Sequence, residues 1–140
     1  MPGEINARRY LGLPFRHNGR DLNGVDCLGL MLLILKDAGI ELPNDDGQPI
    51  NPKWYNTEPE RFIKGLEQYG QRINITELQP LDVVVFCFKE IPRHAGVMIS
   101  RSHFIHIREN DCSSVVRLKR YSRFFYAAYR MTEIKTTQGR

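Results

Sequence analysis

The 140-residue chain reads as one α+β domain: a buried helix packed on an antiparallel sheet. Two observations predict this class. A near-continuous apolar run, Cys27 to Leu35, sits behind the capping residue Asp26 and has the length of a helix. After residue 80, short segments rich in Val, Ile and Phe recur between clusters of turn residues, the pattern of successive strands. The length suits a single core spanning residues 1–140, with about 131–140 expected as a flexible tail.

Residues 4–11 are expected as a short helix that ends at the Gly12-Leu13-Pro14 turn, because proline disfavours helical backbone at the residue before it. A polar loop from His17 to Val25 carries Gly19 and Gly24. Asp26 then suits an N-cap, since the first-turn amides of a helix have no internal acceptor. The helix runs from Cys27 to Ala38 and closes at Gly39. Its apolar residues, including Leu28, Leu30, Met31 and Ile34, cover nearly every face, which predicts a central, buried element. Residues 43–56, rich in Pro, Asn and Asp, are expected as loop. A second helix from Glu58 to Tyr69 puts Phe62, Leu66 and Tyr69 on one side. Leu78-Gln79-Pro80 introduces the strand Val83 to Phe88. Further strands are expected over about 94–99, 103–108 and 114–119, with turns at Lys89–Arg93, Ser100–Ser102 and Glu109–Ser113. A last short strand, Phe124 to Arg130, completes an antiparallel meander.

Composition narrows the function classes. A hydrophobic fraction of 41% and a charged fraction of 26% match a globular chain rather than a disordered one. The longest apolar run is too short to span a bilayer, so no membrane span is expected. The N-terminus lacks a hydrophobic signal core, which predicts synthesis in the cytoplasm without an export signal. Three cysteines at irregular spacing form neither a disulfide framework nor a zinc pattern. Seven of the 20 basic residues and one of the 16 acidic ones lie from Arg117 onward, so that end carries +6 and the remainder −2. A basic end can meet an anionic polymer such as nucleic acid or cell wall. No nucleic-acid motif with interleaved aromatics accompanies it, so no nucleic-acid partner is expected, and a solvated tail after Tyr129 is the favoured reading of the charge.

Chemistry concentrates on Cys27 and the histidines. A thiolate at a helix start is favoured by the unsatisfied amides and the dipole. With a cationic partner, a thiol can fall from ~8.5 to roughly 3.5–7.5 there. The same amides can donate to an oxyanion. Cysteine chemistry also needs a base near the sulfur and a third group to orient that base. His94 opens one strand, and His106 lies in the next between Ile105 and Ile107, facing solvent or a cleft. Their meeting depends on register. A two-residue turn at Arg101-Ser102 pairs His106 with Val97 and separates the histidines to opposite faces. A three-residue turn, Ser100 to Ser102, pairs His106 with Gly96 and sets it diagonal to His94, ~7–8 Å away along the backbone. His103 reads as surface, and His17 as a loop residue able to line a cleft near Cys27. Cys87 reads as core and Cys112 as an exposed turn thiol.

Four stretches in order carry a resemblance: Val-Asp-Cys-Leu-Gly-Leu (25–30), Gln-Pro-Leu-Asp-Val-Val-Val-Phe (79–86), His-Ala-Gly-Val-Met-Ile (94–99) and Phe-Ile-His (104–106). Together they resemble the NlpC-type cell-wall cysteine peptidases over about residues 5–130. The resemblance implies a papain-like core, with Cys27 as nucleophile, His94 as general base and His106 orienting it. It implies hydrolysis of an amide in peptidoglycan stem peptides through a thioester, often between D-glutamate and the diamino acid, with no metal or organic cofactor. Asp26, Phe15 and His17 would lie beside the oxyanion or substrate.

The chain departs from that pattern at three positions. Phe15 stands where the family usually has a tyrosine whose hydroxyl reaches the active site. Leu28 and Leu81 replace a common small residue and a common glycine. The stretch 53–66 resembles tail-associated members from phages and prophages, which implies phage-tail or cell-wall protein partners and incorporation into a tail. An amidase or acyltransferase of the same fold, and a non-catalytic tail-assembly module, are the alternative readings.

Overall fold

The structure, a computed structural model, describes residues 7–17, 19–40 and 59–132. The loop expected over 43–56, the start of the 53–66 stretch and the chain after Thr132 lie outside the described residues. So does the first part of the N-terminal helix expected over 4–11, of which a 3₁₀ turn at Arg8–Tyr10 is seen. The polar loop contains a small hairpin of β1 (Arg20–Asp21) and β2 (Gly24–Val25).

Helix α1 spans Cys27–Asp37. Asp26 caps it as the sequence predicts: its Oδ1 accepts the Gly29 amide at 2.7 Å. The other end closes in a Schellman motif, with Gly39 at φ +93° and the Ile40 amide donating to Leu35 O at 2.8 Å. Leu30, Met31, Leu32, Ile34 and Leu35 are buried, and Leu28 and Leu33 are half-buried. Helix α2 spans Pro59–Tyr69 and buries Ile63 and Leu66, while the side chain of Phe62 lies outside the described set.

Six strands form one antiparallel sheet: β3 (Gly70–Ile73), β4 (Val83–Phe88), β5 (Ile91–Met98), β6 (His103–His106), β7 (Ser114–Arg117) and β8 (Phe125–Met131), in the order β3-β8-β4-β5-β6-β7. The expected meander holds for β4 to β7. The chain then crosses back through a 3₁₀ segment, Leu118–Phe124, and β8 pairs on the far side of β4. Met131 belongs to β8, opposite Gly70, rather than to a tail.

The period-2 alternation of strands divides the core into two layers. Val83, Val85, Ala95, Val97, Ile105 and Ala127 pack with the helices on one face. Val84, Phe86, Met98, Phe104 and Ala128 pack on the other, beneath Leu118, Tyr121 and Phe124 of the 3₁₀ segment. Two bulges flank Phe86: Arg93 is the extra residue between β5 positions 92 and 94, and Tyr126 the extra one on β8. Bulges add twist and re-aim neighbouring side chains, and the first of these immediately precedes His94.

The turn expected over Lys89–Arg93 contracts to two residues. Lys89 (φ +54°) and Glu90 (φ +66°) both adopt left-handed backbone, the type I′ pattern that fits the twist of a tight hairpin. Leu81 also has positive φ, +79°, where a glycine would be unstrained. Its surroundings hold it there. The Leu81 amide donates to Met98 O, Met98 donates back to Asp82 O, and the buried Asp82 carboxylate accepts two bonds from Arg130 at 2.8 and 2.9 Å.

Candidate active site

The turn takes its three-residue form, which puts the two histidines on one face. Ile99 N donates to His103 O at 3.0 Å across a three-residue turn, and Val97 pairs with Ile105. His106 therefore falls opposite Gly96 and diagonal to His94. The side chains meet: His94 Nε2 lies 2.7 Å from His106 Nδ1, with ring centroids 5.0 Å apart and planes at 69°.

Gly96, opposite His106, leaves the space that the Phe104 ring occupies. A methyl group there would press on the Phe104 ring and lie 3.0 Å from Ile105 O. Gly96→Ala is expected to destabilise the fold by ~1–3 kcal/mol through overpacking and to weaken the imidazole contact. Denaturant unfolding, with histidine side-chain NMR shifts, measures both.

Neither histidine lies open to solvent, one of the two placements that alternation with core residues suggests. Each is only 5% exposed. His94 packs against Phe86 and Phe88, and His106 against Phe104 and Tyr121, whose rings cover the pair. Burial disfavours the charged imidazolium and holds His94 well below the usual histidine value. The neighbouring His106, Arg108 and Arg93 push it the same way. Burial, then Arg108, brings His106 down to about 4, partly opposed by Asp111. Both rings are therefore neutral at pH 7. In a neutral pair one nitrogen donates and the other accepts. The unfolded chain binds these protons near pH 6.5, above the folded values, so it takes up more protons than the native state as pH falls. Stability is then full above about pH 6.5 and declines toward pH 4 as the His106 value is approached. Thermal melts between pH 7 and pH 4 are expected to show this decline, reduced in His106→Asn.

Asp26 and Cys27 stand together at the start of α1, and that helix packs on β5. Cys27 is half-buried, its side chain against the helix-side core. Phe15 packs on the same core layer and bridges to Val25, two residues before the cysteine. The Arg16 amide donates to Val25 O, and the Val25 amide to Pro14 O, at 2.9 and 3.0 Å, fixing this entry segment beside the helix start. His17 sits half-buried in the following turn. The structure thus forms two groups. One is the imidazole pair under the 3₁₀ segment, and the other is Cys27 with Asp26 and Phe15 at the head of α1; β5 links them.

Two neighbours of the site were not singled out from sequence. Tyr121 comes from the 3₁₀ segment, which carries no strand periodicity. Arg108 lies two residues beyond His106, and its guanidinium sits over the Phe88 ring at 4.5 Å. Period-2 spacing from His106 was the available signal for Arg108. Cys87, expected in the core, is half-buried beside the β5 bulge, and burial raises its thiol pKa. Cys112 is exposed, as expected. Among the described residues no three His, Cys, Asp or Glu side chains are grouped to hold a metal ion. No described helix is long and apolar enough to cross a membrane.

The family model for NlpC/P60 matches residues 12–132. The chain belongs to the NlpC/P60 family. Among curated proteins, a probable endopeptidase of Mycobacterium tuberculosis is 28% identical over 100 residues, covering 71% of this chain and 21% of the relative. A probable endopeptidase of Mycobacterium bovis matches equally. The chain thus spans about one fifth of the length of these relatives. An NlpC/P60 protein from Bacillus cereus superposes with a TM-score of 0.66 at 24% identity, over 89% of this chain and 37% of the other. The NlpC/P60 domain of the peptidoglycan hydrolase SagA gives 0.64 at 17% identity, over 89% and 92%. These superpositions establish the papain-like NlpC/P60 fold, a helix carrying Cys27 against an antiparallel sheet.

Proposed function

We propose that this NlpC/P60 domain is a cysteine endopeptidase that hydrolyses an amide bond of peptidoglycan stem peptides. The single observation that carries the reading is the buried His94–His106 contact at 2.7 Å on the strand against which the Cys27 helix packs. The hydrogen bond occupies Nε2 of His94, which leaves Nδ1 as the atom able to take a proton. The role needs His94 Nε2–H to donate to His106 Nδ1, with the His106 proton on Nε2. His106 then acts as a neutral acceptor, which fixes ring and tautomer without supplying a negative charge.

In the proposed reaction Cys27 Sγ attacks the amide carbonyl carbon as its proton passes to His94 Nδ1. The carbonyl oxygen takes the negative charge and is held by first-turn amides of α1. His94 returns the proton to the departing amine, the C–N bond breaks, and a thioester remains. Water, deprotonated by His94, attacks the thioester, the C–S bond breaks, and the carboxylate product leaves as the thiol is restored. The reading requires Sγ and Nδ1 to come within proton-transfer reach, and the Arg93 bulge that re-aims His94 is the feature that supports it. The bond between D-glutamate and the diamino acid is the proposed site of cleavage.

Digestion of purified peptidoglycan, with the released peptides identified by mass, tests this. Fragments with a new amine terminus on the diamino acid support the reading. Intact wall combined with a fast-reacting Cys27 replaces the substrate by another amide or acyl group. Intact wall with a sluggish thiol leaves an assembly module. Association with a phage tail is a separate proposal, and it rests on the sequence of the 53–66 stretch.

A further inference from the structure

The 3₁₀ segment Leu118–Phe124 places its residues on two sides. A 3₁₀ helix repeats every three residues, and Leu118, Tyr121 and Phe124 form the inward stripe that covers the aromatic layer and the imidazole pair. Lys119, Arg120 and Arg123, with Arg117 just before them, are exposed. No acidic residue lies between Arg117 and Arg130, and none of the four cations is ion-paired among the described residues. At a rise of ~2 Å per residue the four span about 12 Å on the outer surface of the segment that roofs the site.

We infer that this strip is a docking surface for a phosphodiester polymer of the cell wall. The choice of polymer rests on the peptidoglycan reading given above, and its test is separable from it. A chain of phosphates meets a row of cations by releasing its counterions, with no need for base or sugar readout. Nucleic acid fits less well. Tyr121 and Phe124 are half-buried against the aromatic layer, and the Arg123 guanidinium lies over the Phe124 ring at 5.3 Å. This leaves little ring face for a base, and a seven-residue 3₁₀ turn is no groove-reading helix. A polymer joined to the same wall as the stem peptides would also raise the local concentration of substrate at the site beneath.

Binding of soluble poly(glycerol phosphate) to the Cys27→Ala chain, followed by calorimetry at 50 and 200 mM NaCl, tests the surface without catalysis. Four phosphate contacts predict a log–log salt slope near −3, an affinity loss of about 50-fold between the two salts. The variant R117Q/K119Q/R120Q/R123Q is expected to lose binding at both salts. Its melting temperature, and the milder pair R120Q/R123Q with a halved slope, separate lost charge from lost fold. An uncharged dextran of equal length is expected not to bind. The proposal is overturned if the quadruple variant, still folded, binds as the parent does. It is equally overturned if binding ignores salt, or if duplex DNA at matched phosphate concentration binds more tightly. Failure of peptidoglycan cleavage with intact polymer binding would instead strike the hydrolase reading alone.

Discussion

Cys27→Ala is expected to stop release of amine termini from peptidoglycan while leaving the fold in place. The loss should be on the order of 10⁴-fold or more, because the substitution removes the atom that forms the thioester rather than one that assists it. Neither water nor His94 alone replaces that step. The structural effect should be small. Cys27 is only half-buried at the first position of α1, and the Asp26 cap to Gly29 does not involve its side chain. Alanine is also a strong helix former. Circular dichroism and a melting curve check the fold, and amine release under single-turnover conditions checks the activity. A folded variant that still cleaves at more than a few per cent of the parent rate would remove Cys27 from the chemistry.

The second large effect is expected at His106. His106→Ala removes the partner of His94 Nε2 and leaves a buried polar nitrogen without an acceptor, costing about 1–3 kcal/mol. The ring is then free to turn, and kcat should fall by roughly 10²–10⁴-fold, the range over which positioned general bases contribute. His106→Asn offers a carbonyl in place of the lost nitrogen and should recover part of that loss. A purely structural His106 would alter the melting temperature without changing kcat of the folded fraction. The pH profile provides a second readout. Proximity of His106 is one of the causes that lower the His94 value. Losing that ring should move the acid limb of kcat/KM upward toward neutral pH in His106→Asn. An acid limb that stays in place would assign the limb to another group.

Much of the fold was legible because local signals and tertiary structure agree. The strand Val83–Phe88 has the expected bounds, and Asp26 caps α1 as its residue type suggests. The histidine pair was legible conditionally: residue count in the Ser100–Ser102 turn separates same-face from opposite-face placement, and the structure adopts the three-residue form. Features that depend on distant partners were not legible. β3, Gly70–Ile73, is short and mostly polar at the sheet edge, so it shows no apolar alternation, and its pairing with β8 is a long-range contact. The tight turn at Lys89-Glu90 lacks the Asn or Gly that usually marks two positive φ values. The return of β8 to β4 and the aromatic roof from Tyr121 follow from the crossover, which no local pattern encodes.

The most direct test of the Cys27–His94–His106 unit is the rate of Cys27 alkylation by iodoacetamide from pH 5.5 to 8, resolved by mass from Cys87 and Cys112. A thiol sharing its proton with a neighbouring imidazole should react at a nearly constant rate across this range, well above Cys112 near pH 6. His94→Gln should restore the rise of about tenfold per pH unit of an ordinary thiol. A Cys27 rate that climbs with pH in the parent, and that His94→Gln leaves unchanged, would contradict the unit at its first step.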